Sequence, residues 1–330
     1  MEAGSITARG GRSILERSSR SRALDPALRY GLTALAALIL VLIAFFFIRL
    51  FVEAKPAFDQ FGYFGFVFDN NWDVSRSIYG SWPLVVGTLI TAALALAMGV
   101  PVAIATALYI TELCPRRLRQ PLTILVELLA AVPSVVYGLW GIKVLAPKLK
   151  GPEQWFSDTF SFLPFVGGTV SIPNYFIAGL ILAIMIVPIV SAISREVMTT
   201  VPTENKEAAL ALGATRWEMI RLSVLPYSRA GISGAAMLGL GRAIGETIAV
   251  TIVIGNSPDI GESLFSQGYT LAAVIANEFG EAASNETHRA ALIAAGLVLF
   301  LLTLGVNGFA RYFVNRAERG ERTVPQGMAG

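Results

Sequence analysis

Residues 203–226, TENKEAALALGATRWEMIRLSVLP, decide how this chain is read, because they form a patterned polar stretch between two long apolar ones. Pro202 and Thr203 open a helix, and Glu204 and Glu207 fall in its first turn, where carboxylates complement the helix dipole. Ala208, Ala209, Leu210, Ala211 and Leu212 continue that helix, and Gly213 stops it. Thr215 and Glu218 then have capping-box spacing for a second helix, which Pro226 is expected to end. Two short helices should therefore meet at a sharp bend. By itself such a hairpin fits either an amphipathic connector on a membrane surface or a docking element for a partner.

Outward from this stretch the composition is that of a membrane protein: 54% of the residues are hydrophobic and 15% are charged. Six apolar stretches stand out, at 30–52, 84–110, 122–145, 175–193, 232–254 and 290–312. Each is long enough, at ~1.5 Å per residue, to cross a ~30 Å hydrocarbon core as a helix. They lack the alternation of barrel strands, so the expected fold is all-α and integral to the membrane, with six transmembrane helices. The first stretch exceeds the ~7–15 apolar residues of a signal peptide and is expected to remain as an anchor. The expected organisation is a tail at 1–29, a transmembrane domain at 30–316 and a second tail at 317–330.

Basic residues set the orientation. Those before the first stretch, in the second-to-third connection, around 203–226 and after the sixth stretch total eighteen, against seven on the opposite side. The bias places both termini and the 203–226 hairpin in the cytoplasm. Lys143, Lys148 and Lys150 weaken the contrast locally without reversing it. The net charge of +3 is thus a topology signal and gives no argument for nucleic acid. The Arg- and Ser-rich run at 9–22 reads as a mobile tail near anionic lipid. A single cysteine, Cys114, excludes an intrachain disulfide and a cysteine metal cluster.

Residues 53–83 are aromatic and acidic, which suits a lipid interface or a docking surface for a solute-binding protein. In the third stretch Pro133 breaks the backbone, with the hydroxyls of Ser134 and Tyr137 near the freed carbonyls. This is either a packing kink or the wall of a cavity. Glu127, about two turns inside the same stretch, either reaches water or pairs with a charge in a pathway. The proline- and glycine-rich connection at 147–173 is expected to be an irregular cap, and His288 a solvated residue.

The fifth stretch carries the chemistry. Arg242 and Glu246 are four residues apart about ten residues into a span, so on one helix they share a face and can pair. An isolated charge at that depth costs at least ~2.5–3.5 kcal/mol on insertion scales. Gly241 and Gly245 leave room there for another backbone or a ligand. In one reading the two charges only neutralise each other. In the other, Arg242 holds an anion through its planar, permanently charged guanidinium, and Glu246 positions it. Thr247 and Thr251 are secondary candidates on the neighbouring face.

Glu207-Ala208-Ala209, Gly213 and Leu225-Pro226 resemble the EAA loop of ABC importer permeases, although Ser223 stands where an aliphatic residue is usual. Together with AAVPSVVYG at 130–138, LGLGRAIGETIAV at 238–250 and LAAVIANEFGEA at 271–282, the chain resembles the PstC family, permease subunits of bacterial phosphate ABC importers. The resemblance runs through roughly residues 30–316. It implies the MetI-like permease fold, a bacterial inner-membrane location, and transport of inorganic phosphate through half of a pathway completed by a second, PstA-like permease. It also implies a PstB-like ATPase pair docked on Glu207, Ala208, Ala209, Gly213, Leu225 and Pro226, with delivery by a PstS-like binding protein. Signalling through a sensor kinase is a further job known in that family. ATP and Mg would sit on the ATPase partner, since this chain has no GxxxxGK[ST] loop and no other cofactor is expected on it. No catalytic activity of its own is expected: HExxH is absent, and one His with one Cys offers no metal or nucleophile pair. The rival readings are a PstA-type sibling, a permease for sulfate or another oxyanion, and an ion-coupled transporter using Arg242 and Glu246 as a proton relay.

Overall fold

The computed structural model describes residues 19–321, which leaves most of the Arg- and Ser-rich run and the last nine residues outside the described part. The chain divides into two compact units, Met1–Val52 and Glu53–Gly330. In the first, the described chain is the N-terminal part of α1 (Ser19–Phe61). The most hydrophobic window of that helix, within Leu28–Phe61, has a mean hydropathy of 2.9 and is 0% buried, as suits a span that faces lipid.

The second unit begins with the end of α1 and continues through α2 (Tyr63–Phe68), a hairpin of β1 (Trp72–Asp73) and β2 (Ile78–Tyr79), and α3 (Trp82–Leu108). The third apolar stretch is divided between α4 (Arg116–Ala131) and α5 (Ser134–Trp140), and α5 runs through a π turn at Gly141–Leu145 into α6 (Ala146–Thr159). Next come α7 (Tyr175–Thr199), the short helices α8 (Thr203–Ala211) and α9 (Arg216–Met219), α10 (Leu225–Gly245) and α11 (Ile248–Val253). The chain closes with α12 (Leu271–Glu278) and α13 (Glu286–Glu321).

The fold is mainly helical, as expected, but not six unbroken helices. Among the described residues four helices are long and apolar enough to span alone, or five if α4 and the Ser134–Thr159 helix, bent by 89°, count as one broken span. The fifth apolar stretch is interrupted between α10 and α11. The connection expected to be irregular from residue 147 is instead helical to Thr159: Pro147 follows closely on the π turn, and Pro152 is accommodated inside α6.

α3 and α7 form the most extensive helix pair and, with α10 and α11, enclose a core of Ala95, Ala103, Ile181, Ile186, Ala235, Ile244 and Val253. Small residues let the backbones approach closely, which is what holds membrane helices together where lipid is as apolar as the side chains. A second cluster, Ala107, Met198, Val201, Met219, Ile220 and Val224, seats α8 and α9 at one end.

At the other end the aromatic segment folds on itself. Phe66, Trp72 and Tyr79 are buried and stack edge to face, while Tyr63, Phe64 and Phe68 stay exposed. His288 is not solvated: it is 2% exposed, stacks on Tyr79, and its Nε2 lies 2.9 Å from Glu278 Oε2. The Trp72 indole donates to the same oxygen at 3.1 Å, and the Tyr269 hydroxyl donates to Glu278 Oε1 at 3.3 Å. Burial, with the Glu278 charge nearby, holds the Tyr269 phenol well above its ordinary pKa, so it stays a neutral donor. This knot ties the hairpin to α12 and α13. His288→Ala removes a ring contact and one partner of Glu278, with an expected loss of about 1–3 kcal/mol, read as a lower unfolding temperature of the detergent-solubilised chain. An unchanged midpoint would show the knot to be incidental.

Candidate functional site

Two interruptions of helix, side by side, build the candidate site. At the first, α4 ends at Ala131, and Val132 and Pro133 are extended, with ψ 128° and 139°. Proline at 133 removes a donor and disfavours helix for the residue before it, so the break follows from the sequence. The Tyr137 hydroxyl crosses the gap and donates to the Leu129 carbonyl at 2.7 Å, satisfying one of the freed groups. Ser134, half-buried at the start of α5, has no side-chain hydrogen bond among the described residues.

The second interruption was not expected. α10 stops at Gly245, Glu246 is extended (φ −70°, ψ 125°), and α11 starts at Ile248. Arg242 and Glu246 therefore do not share a helical face, and no ion pair joins them among the described residues. Glu246 turns forward instead: its Oε1 accepts from the Ala249 backbone N–H at 3.4 Å, at the start of α11. The Thr247 hydroxyl donates back to the Gly245 carbonyl at 3.2 Å, and the Thr251 hydroxyl to the Thr247 carbonyl at 2.7 Å. The backbone groups that a broken helix leaves in an apolar medium thus find local partners.

The breaks lie together because α5 packs on α11. A Cβ at Gly138 would stand 3.1 Å from Ala249 Cα and 3.2 Å from the Ala249 carbonyl oxygen, so the absence of a side chain there favours this close approach. Farther along, Gly141 meets Val253, so the two helices run in the same direction from neighbouring starts. Arg242, in the last turn of α10, is exposed three residues before the second break. A cation there complements the C-terminal end of the helix dipole and keeps its guanidinium donors available. From Gly241 a groove of about 1010 Å³ runs between α10 and α13, lined by Ser233, Gly234, Asn307, Gly308 and Arg311 among others.

Glu127 belongs to neither break. It pairs with Arg195 of α7, Nη2 to Oε1 2.7 Å, and so pins α4 to α7. Sequence reasoning named the carboxylate but not its partner 68 residues away.

The hairpin at 203–226 forms a second region. α8 starts after Pro202 and ends before Gly213, whose φ of +86° is a conformation glycine adopts without strain. Thr215 and Glu218 make the expected capping box: the Thr215 N–H donates to Glu218 Oε2 at 2.7 Å and the Glu218 N–H to Thr215 Oγ1 at 3.3 Å. The Thr215 N–H, and after it the Thr215 hydroxyl, which donates to the same oxygen at 2.8 Å, hold the Glu218 carboxyl below its usual range. The cap is therefore fully present above the ordinary carboxylate pKa and is lost as pH falls through the lowered value.

Pro226 does not end the second helix. A π turn at Ile220–Val224 widens the helix, and Pro226 enters α10 in its first turn, so the chain continues from α9 into the membrane helix. Glu207 and Ala208 are exposed, Ala209 rests on the second apolar cluster, and Leu212 and Trp217 stand out at 90% and 61% exposure. Two such apolar side chains on a polar hairpin suit burial by a partner. Lys206 turns away from this surface to Glu112, Nζ to Oε1 2.6 Å. No group of residues able to hold a metal occurs among the described residues.

Comparison with known proteins identifies the family. Residues 99–319 match the family described as binding-protein-dependent transport system inner membrane component. The "Phosphate transport system permease protein PstC" of Mesorhizobium japonicum is 42% identical over 313 residues, covering 93% of this chain and 95% of that one. The protein of the same name from Pasteurella multocida is 43% identical over 87% of this chain and 90% of its own length, and PstC 2 of Mycobacterium tuberculosis is 42% identical over 86% and 90%. Among solved structures, a bacterial alginate ABC transporter aligns with a TM-score of 0.61 at 19% identity, covering 89% of this chain and 96% of that one. At that identity the likeness concerns the fold alone, which is that of the MetI-like ABC permeases. The chain belongs to the binding-protein-dependent transport system inner membrane components, and within them it stands with the PstC permeases.

Proposed function

We propose that this chain is the membrane subunit of an ATP-driven importer of inorganic phosphate and forms half of its pathway. The observation that carries the reading is the position of Arg242, which ends a helix beside two adjacent backbone breaks in a chain about 40% identical to phosphate permeases. Broken helices persist in a membrane only where protein or a cavity covers them, and such breaks are where transporters bind substrate. Arg242 offers a phosphate oxyanion two parallel N–H donors and a charge that no carboxylate pairs with among the described residues. Glu246 holds the second break by capping α11, while Thr247, Ser134 and Tyr137 are the hydroxyls nearest the anion's route. Glu127 supports the first break from behind through Arg195.

A second, PstA-like permease faces the groove and completes the pathway. A PstB-like ATPase pair, which binds ATP and Mg, docks on the 203–226 hairpin around Glu207, Ala208, Ala209, Leu212 and Trp217. A PstS-like protein delivers phosphate on the opposite side, and the arginine distribution supports a cytoplasmic position for both termini. A proton-coupled carrier would leave the hairpin without a purpose, and a relay between Arg242 and Glu246 would need the contact that the break removes.

Competition tests the substrate. Uptake of labelled phosphate by cells dependent on this permease should be suppressed by excess unlabelled phosphate, left intact by excess sulfate, and lost with the ATPase. Suppression by sulfate would move the assignment to another oxyanion. Uptake that survives loss of the ATPase and collapses with an uncoupler would end the importer reading.

A further inference from the structure

We infer that the Glu112–Lys206 ion pair is a strut that carries movement of α8 into α3, a positioning role in ATP-driven transport that rests on the importer reading above. α8 is polar and has no fully buried residue, so little apolar surface holds it in place. Among the described residues, three side-chain contacts stand out in fastening it. Ala209 rests on the second apolar cluster, the Asn205 carbonyl accepts from the Ser223 hydroxyl at 3.2 Å, and Lys206 reaches Glu112. Ser223 lies in the π turn that leads into α10, so that bond ties α8 to the helix that follows it in sequence. Lys206 ties it to the π turn at Tyr109–Leu113, with which α3 ends, 94 residues earlier in the chain.

The two kinds of contact respond differently to force. Apolar contacts are non-directional and let helices slide, whereas a charge-assisted bond fixes both separation and direction. This one is shielded as well as short: the lysine side chain is 18% exposed and the carboxylate 9%. Each leg of the fastening leads to one of the breaks beside Arg242. From α3 the path runs through its long contact with α7 to Arg195 and Glu127, and so to α4 just ahead of Val132 and Pro133. From Ser223 it runs along α10 to Gly245 and Glu246. A displacement of α8 with both legs intact would move the two breaks together, and one made without the strut would move only the second.

The test uses the complete importer, purified with its ATPase and second permease and reconstituted in vesicles with the binding protein. Labelled phosphate uptake and ATP hydrolysis are measured in the same preparation. Glu112→Gln lies outside the hairpin and leaves its exposed surface intact; Lys206→Met removes the other partner. Each is expected to lower phosphate taken up per ATP hydrolysed by about tenfold, within the range ordinary for coupling between sites. The exchanged pair, Glu112→Lys with Lys206→Glu, should recover most of it, because it restores opposite charges at the same separation. A single variant that fails to retain the ATPase still leaves the exchange to decide, since its recovery needs the pair. Wild-type coupling in both single variants, or an exchange no better than they are, would overturn the strut. A wild-type complex that hydrolyses ATP without taking up phosphate would overturn the importer reading and the strut with it.

Discussion

Arg242→Gln is expected to abolish phosphate uptake while the second permease and the ATPase still copurify. Glutamine keeps a donor and nearly the reach of arginine, but it loses the charge and the paired donors. Hydrogen bonds to a charged group are worth about 1.5–3 kcal/mol each, so losing two of them corresponds to about a hundredfold or more, at 1.4 kcal/mol per factor of ten. The fold should not suffer, because Arg242 is exposed and no ion pair to it is broken among the described residues. Arg242→Lys separates charge from geometry: a point charge without the planar fork should restore part of the uptake. Glu246→Gln is expected to be milder than Arg242→Gln, because an amide oxygen can still accept from the Ala249 N–H and preserve the break. The measurement is initial-rate uptake of labelled phosphate, with assembly checked by pull-down of the ATPase. Wild-type rates for Arg242→Gln would make the arginine a structural cap of α10 and leave the substrate assignment to similarity alone.

How far the sequence could be read depended on the range of each interaction. Thr215 and Glu218 are three residues apart, and both bonds of their capping box form as the spacing predicts. Gly213 and Pro133 act on their own backbone, so the bend and the first break could be anticipated. The break at Glu246 could not be anticipated the same way. It contains no proline, and its i, i+4 charges imitate a continuous helix; only the packing of α5 against α11 and the capping by Glu246 make an interruption tolerable. Pro226 misled in the opposite sense, because a π turn absorbs the missing donor and lets α9 run on into α10. The partners of Glu127, Lys206 and His288 come from other elements, and no pattern within a helix points to them. Within the fifth stretch, Arg242 and Glu246 could be singled out from the sequence, but not how they are arranged.

The bend at Gly213 leads to the second large effect, Gly213→Val, which should release the ATPase and abolish uptake with the membrane helices intact. At φ +86° a β-branched residue is strained by about 1–3 kcal/mol, although the space around Gly213 is open and no neighbour would clash. The strain falls on the turn alone, where the Gly213 and Ala214 N–H groups close α8 onto the Leu210 and Ala209 carbonyls. Relaxing it would re-aim α8 relative to α9 and separate Leu212 from Trp217, two apolar side chains that stand exposed on the hairpin. A partner surface that needs both would lose one of them. Gly213→Asn is the control, since asparagine tolerates the left-handed region and should keep most of the coupling. Glu207→Lys probes the same surface without touching the backbone; Glu207 is exposed, so a loss of copurified ATPase there would report on docking and not on folding. Normal ATPase recovery and normal uptake in both Gly213→Val and Glu207→Lys would reduce the hairpin to a connector on the membrane surface.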